Sequence, residues 1–271
     1  MPSDDLSPYT AFLDTPPLWY GTWNGLRQFK LPPIALGTLL PLAPSHHKRL
    51  GHQMEEVFLR LMEHTGRYGP LLHSIPVRDH KRSLGEIDFL LFDIPLQKLQ
   101  HIELTYKFYL LLPALTKTFP NLIGPNRNDS LSAKLEKIKT AQLPLLQRPE
   151  AHEILKERGM ANVGLEQYVC FKAQLFLPYG TSNCSITPLN AECVAGKWIR
   201  FYDFGKQGDL GCHYHIPPKR LWPLKPRLNV AWEGYPTVLL HIGELMGHER
   251  SPLVWVKAPN GALSKLFVVW W

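Results

Sequence analysis

Apolar side chains at Leu50, Met54, Val57, Phe58, Leu61 and Met62 recur at the three- and four-residue spacing that lines one side of an α-helix. Arg49 to His64 is therefore predicted to be helical. At ~100° per residue the stripe centres near Met54 and Leu61, so Glu55 falls at its edge while Glu56 points away. Glu55 is the acid of this helix that can face an interior. Three shorter runs follow, Leu71 to Val77, Gly85 to Phe92 and His101 to Leu111, separated by polar or turn-forming residues, and they predict a three-stranded meander. In the third run Ile102, Leu104, Tyr106 and Phe108 share one face, and Glu103, Thr105, Lys107 and Tyr109 share the other, so one face is expected to be apolar and the other to carry chemistry.

A loop over Pro120 to Asn128 leads, with Asp129 or Ser130 as a cap, into a predicted helix from Leu131 to Gln142. Its apolar track is Leu131, Leu135 and Ile138. Gln142 continues that track, so an amide points the way the packing side chains do, with Lys134 beside it and Lys137 more exposed. A short helix is expected over Glu150 to Arg158 and a strand over Gln167 to Leu177. Beyond Pro178 the texture changes: six of the eight tryptophans lie there, with two proline-rich stretches, a helix expected over Thr237 to His248 and a terminal hairpin turning at Asn260-Gly261. These elements divide the chain into an N-terminal wrapping segment (1–45), an α/β core (46–180) and an aromatic-rich α+β C-terminal extension packed on it (181–271).

Composition excludes several classes. With 45% hydrophobic residues in 271, the chain can bury a large core and is not a disordered one. No apolar run nears the ~20 residues of a membrane span, so no membrane partner is expected. The first thirty residues lack the basic start and apolar stretch of a secretory signal, which points to the cytoplasm. Thirty Lys and Arg against twenty-three Asp and Glu leave a formal charge of +7, which suits a polyanionic partner without requiring one. Cys170, Cys184, Cys193 and Cys212 have no C-x-x-C spacing. Grouping Cys193, Cys212, His213 and His215 gives C-x18-C-H-x-H, which matches no closed zinc site.

Two acids stand inside otherwise apolar strands, Asp88 in GEIDFLLF and Glu103 in HIELTYKFYL. A carboxylate on a half-buried strand is costly unless it is paired, hydrogen-bonded or bound to a metal. Adjacent antiparallel strands lie ~5 Å apart, so the two acids can converge on one Mg²⁺, with Glu55 as a third acid from the helix. The competing reading makes them solvated residues on an open sheet face, paired with Lys107, Arg78 or Lys81.

With these residues in view, the sequence resembles the bacterial domain-of-unknown-function family 1853, within the PD-(D/E)XK, restriction-endonuclease-like nuclease superfamily. The resemblance is carried by LGHQMEEVFLRLM (Leu50 to Met62), LGEIDFLLF (Leu84 to Phe92), HIELTYKFYLLL (His101 to Leu112), GPNRNDSLSAKLEKIKTAQLPL (Gly124 to Leu145) and FKAQLFLPYG (Phe171 to Gly180). It implies a core of helix, three-stranded antiparallel meander, helix and strand, the order already read from periodicity. It also implies Mg²⁺, with Mn²⁺ as a substitute, held by Asp88 and Glu103, a completing acid at Glu55, and no organic cofactor. Two residues after Glu103, where the superfamily places lysine, stands Thr105; Lys107, four residues on, is the strand's electrostatic candidate. Arg127 and Lys134 are candidate phosphate contacts and Gln142 a residue orienting substrate or water. The implied function is metal-dependent hydrolysis of phosphodiester bonds in DNA or RNA; the alternatives are a catalytically inactive nucleic-acid-binding module or a protein-interaction module on the same fold.

Overall fold

The computed structural model describes residues 7–35, 37, 39, 49–113, 120–181 and 185–271; part of the 1–45 segment and Cys184 lie outside them. In chain order the elements are α1 (Ser7–Asp14), β1 (Thr22–Trp23), β2 (Leu26–Arg27), α2 (Leu50–His64), β3 (Tyr68–Asp79), β4 (Arg82–Asp93), β5 (Lys98–Leu111), β6 (Leu122–Ile123), α3 (Leu131–Lys137), α4 (Pro149–Glu157), β7 (Leu165–Pro178), β8 (Val194–Arg200), α5 (Phe201–Lys206), β9 (His213–His215), α6 (Tyr235–Gly247), β10 (Leu253–Lys257) and β11 (Leu263–Val269). This is a mixed α/β protein, with six α-helices and both parallel and antiparallel strand pairing among the described residues. They fall into two compact units interleaved in sequence, the first holding Pro17–Tyr106 and Ser132–Lys172, the second Lys107–Leu131 and Ala173–Trp271.

In the first unit the strand order is β3-β4-β5-β7, and β4 pairs antiparallel with both β3 and β5. The predicted stripe of α2 is the buried one: Leu50, Met54, Val57, Phe58, Leu61 and Met62 are all enclosed. Phe58 anchors it, its ring centroid 4.7 Å from that of Phe89 on β4 and 6.2 Å from that of Phe12 on α1. A second cluster joins Ile75, Ile87 and Leu90 of the strands to Leu145, Leu146 and Leu155.

The helix predicted over Leu131 to Gln142 is α-helical only to Lys137. Ile138–Gln142 widens into a π turn and Leu143–Gln147 tightens into a 3-10 turn. Two local causes are visible in the sequence. Pro144 has no N–H to donate, and the Thr140 hydroxyl donates back to the Glu136 carbonyl at 2.9 Å, an arrangement that loosens helical bonding. The expected polar face of β5 is also corrected: Leu99 to Tyr106 are buried without a break, so both faces of that stretch are covered.

In the second unit β8 runs parallel to β7 and to β11, β10 pairs antiparallel with β11 and β9, and β6 pairs with the end of β5. The terminal hairpin turns at Asn260-Gly261 as expected, with Gly261 at φ 82°, a conformation open to glycine. Val238 and Ile242 of α6 close over Val254 and Val268. Lys265, on the other face of β11 from Leu266 and Val268, is buried too, its ammonium donating to Gln174 Oε1 at 2.6 Å and to the Trp222 carbonyl at 2.8 Å. Neither α1, β8 nor α5 is signalled by the sequence pattern.

Candidate functional site

The register that pairs Phe89 with Ile102 makes Asp88 and Glu103 the next residues to face each other across β4 and β5, and there the paired ladder stops. Instead of a strand carbonyl, the Leu104 amide takes the Asp88 carboxylate, donating to Oδ2 at 2.9 Å. The negative charge of Glu103 acts on Asp88 across the same opening. The two acids therefore form one anionic group at the point where the strands part.

Glu103 is fully enclosed, which removes the reading of a solvated acid on an open sheet face. Its Oε1 accepts from His101 Nε2 at 2.9 Å, and its Oε2 accepts from the Gln142 amide nitrogen. Among the described residues neither Asp88 nor Glu103 makes an ion pair with a lysine or arginine. The contrast with Asp93, enclosed as fully as Glu103 and at the other end of β4 from Asp88, is direct. Arg67 donates to its Oδ2 from Nε at 3.0 Å and from a terminal nitrogen at 2.8 Å. A buried acid with a guanidinium is ordinary structural chemistry; two acids without one are candidates for a functional site.

Burial pushes Asp88 up to about 8, and the negative charges of Glu103 and Glu55 add to the push, against the Leu104 amide and Lys134. Burial also pushes Glu103 up to about 7, opposed chiefly by Lys134. Titrating as a pair, the two acids retain a proton near neutrality that isolated carboxylates would have lost.

Glu55 lies on α2, half-buried, and its charge reaches Asp88 while its Oε2 meets His52 Nδ1 at 3.0 Å. Gln142, at the end of the π turn, links cation to anion: its amide nitrogen serves Glu103 and its Oε1 accepts from Lys134 Nζ at 2.9 Å. The structure thus brings Asp88, Glu103, Glu55, Lys134 and Gln142 into one electrostatic group within the first unit. Lys107 and Arg127 belong to the second unit, where Lys107 pairs with Asp129 at 2.5 Å and the Arg127 guanidinium lies 5.2 Å from the centroid of the Trp271 ring.

Two residues of the group escape the sequence reading. His101 is fully buried beside Glu103; the signal was its place two residues earlier on the same strand face. Gln167, on β7, reaches His101 Nδ1 at 3.0 Å, a contact no spacing announces. Thr105 is buried, and its hydroxyl has no hydrogen-bond partner among the described residues.

Two carboxylates suit a hard divalent cation, which takes carboxylate oxygens and completes its coordination with water. Asp88 and Glu103 would hold it. No group of three or more His, Cys, Asp or Glu side chains is arranged for a metal among the described residues, the Cys193, Cys212, His213 and His215 set included. No helix among them is long and apolar enough to cross a membrane.

An α/β protein with two acids, one half-buried and one fully enclosed, facing each other at a strand opening is the class that fold and site define. Residues 19–262 match the family model described as a domain of unknown function, DUF1853, and the chain belongs to that family. No curated protein and no solved structure matches it significantly.

Proposed function

We propose that the chain is a metal-dependent nuclease with a restriction-endonuclease-like core of the PD-(D/E)XK type, hydrolysing phosphodiester bonds in DNA or RNA. The observation that carries this reading is the meeting of Asp88, half-buried, and Glu103, fully enclosed, where β4 and β5 part, with neither ion-paired to a lysine or arginine among the described residues. The order α2, β3 to β5, α3 and β7 supports the fold assignment.

In this reading Asp88 and Glu103 hold Mg²⁺ or Mn²⁺, which supplies Lewis acidity toward water and the phosphate oxygens. Lys134 places a positive charge beside the acids, suited to a scissile phosphate, and Gln142 fixes that charge relative to Glu103. Glu55 adds the third negative charge. Lys107, the electrostatic candidate of the sequence reading, and Arg127, a candidate phosphate contact, lie in the second unit and are given no part in the acidic group. No base-reading motif is evident, so selectivity would follow nucleic-acid shape or ends.

Thr105 favours a second reading, a nucleic-acid-binding module without turnover, because a hydroxyl two residues after Glu103 carries no charge. The deciding measurement is cleavage of labelled single- and double-stranded DNA and RNA with Mg²⁺, Mn²⁺ or EDTA. Metal-dependent cleavage that disappears in Asp88→Ala and Glu103→Ala is expected. Salt-sensitive binding with no cleavage, indifferent to Asp88→Ala, would establish the second reading instead.

A further inference from the structure

His101 is buried with both ring nitrogens engaged, Nδ1 by Gln167 and Nε2 by Glu103. The chain of donors can be followed from its far end. The Leu143 carbonyl, at the start of the 3-10 turn, can only accept, and it lies 2.7 Å from Gln167 Nε2. That contact fixes which end of the Gln167 amide is nitrogen, and the same nitrogen faces His101 Nδ1 at 3.0 Å. Nδ1 must therefore accept and carries no proton. The ring's one proton sits on Nε2, 2.9 Å from Glu103 Oε1. On the opposite oxygen Glu103 is held by Gln142, the residue immediately before Leu143. The π turn and the 3-10 turn thus steady the same carboxylate by two routes, one through Gln142 directly and one through Leu143, Gln167 and His101.

We propose that His101 is a positioning residue, a neutral Nε2–H donor set by Gln167 and the Leu143 carbonyl, which holds the Glu103 carboxylate in the orientation that lets it share a divalent cation with Asp88. A carboxylate held from both oxygens cannot rotate away from its neighbour, and each oxygen keeps a lone pair for a metal. His101 itself touches neither metal nor substrate. The proposal rests on the metal-dependent reading above.

The experiment uses the full-length chain, wild type and His101→Ala, His101→Gln and Gln167→Met, with folding checked by circular dichroism. Mn²⁺ binding is measured by calorimetry, and ¹⁵N NMR of the metal-free wild type reports the ring. The expected spectrum is that of a neutral Nε2–H tautomer. Mn²⁺ binding should weaken ~10–100-fold in His101→Ala, the usual cost of removing a group that orients a metal ligand. His101→Gln, which can still offer an N–H, should recover most of it. Gln167→Met leaves the ring in place but frees Nδ1, so it should also weaken binding, and it carries the test should His101→Ala fail to fold. A folded His101→Ala that binds Mn²⁺ as wild type does, or an Nδ1–H tautomer, would overturn the positioning role while leaving the metal reading intact. A wild type that binds no Mn²⁺ while showing the Nε2–H signal would overturn the metal reading, and the proposed role with it.

Discussion

Asp88 shows how one side chain can be costly to the fold and central to the proposed site. Its affinity for a proton is raised in the folded chain, and so is that of Glu103. Between about pH 4 and about pH 8 the folded chain therefore holds more protons than the unfolded one. The sign follows: stability from this pair is full below pH 4 and is lost as pH rises toward 8. Asn at position 88 keeps an oxygen for the Leu104 amide but carries no charge. Asp88→Asn is expected to raise stability by about 2–3 kcal/mol at pH 8, allowing for residual solvent contact, and to change it little at pH 4. Urea unfolding of both proteins across that range is the check, and a stability gain that does not grow with pH would contradict the assigned cause. The same variant should cleave no nucleic acid.

Elements place these residues through small departures from regularity. Gly85 stands at φ 153°, next to the register shift between Val77 and Arg78, and a Cβ on it would lie 3.0 Å from Leu145 Cδ2. Three residues later on β4 is Asp88, and three residues before Leu145 is Gln142, so a push at Gly85 acts on both sides of the site at once. Gly85→Ala is expected to cost about 1–3 kcal/mol from the backbone conformation alone, with some further loss from the Leu145 contact. Leu145→Ala has its own cost as a core truncation, so the check is a double-mutant cycle: Gly85→Ala should cost less in the Leu145→Ala background than in the wild type, and equal costs in thermal unfolding would contradict the proximity argument. The same irregularities explain how much the sequence could disclose. The stripe of α2 was legible because it repeats one period along the whole helix, and β4 was legible as an apolar run bounded by turn-forming residues. Glu103 on the expected polar face of β5 was visible, but its full enclosure was not: alternation describes one strand, whereas burial on the second face depends on what covers it. Gln142 was placed by extending an α-helical track that the chain abandons after Lys137, and it still serves Glu103 because the π turn delivers it there. The Gln167 contact joins residues 66 positions apart, and no local period carries that information.

At the scale of the whole molecule the relevant quantity is the charge of +7, set against a site whose centre is acidic. An acidic site repels phosphate, so under the proposed function affinity for a polyanion would come from basic residues elsewhere, and cleavage from the acids with a cation. The two contributions should separate in solution. Binding of a labelled oligonucleotide in EDTA is expected to weaken steeply with salt, with a logarithmic slope of about −0.9 for each phosphate neutralised on duplex DNA or about −0.7 on a single strand. Asp88→Asn, which removes a negative charge and no phosphate contact, should leave that slope unchanged while abolishing cleavage. Lys134→Ala should flatten the slope by about 1 and also slow cleavage, since Lys134 is the lysine whose charge reaches both acids and is tied to Glu103 through Gln142. Fluorescence anisotropy between about 50 and 200 mM salt, run beside cleavage assays on the same preparations, resolves the cases, as a change in affinity of ~10³–10⁵ is spread over that range when six to ten phosphates are engaged. A Lys134→Ala protein with the wild-type slope and the wild-type cleavage rate would remove Lys134 from the phosphate-binding role, and with it the link between the helix cation and the paired acids.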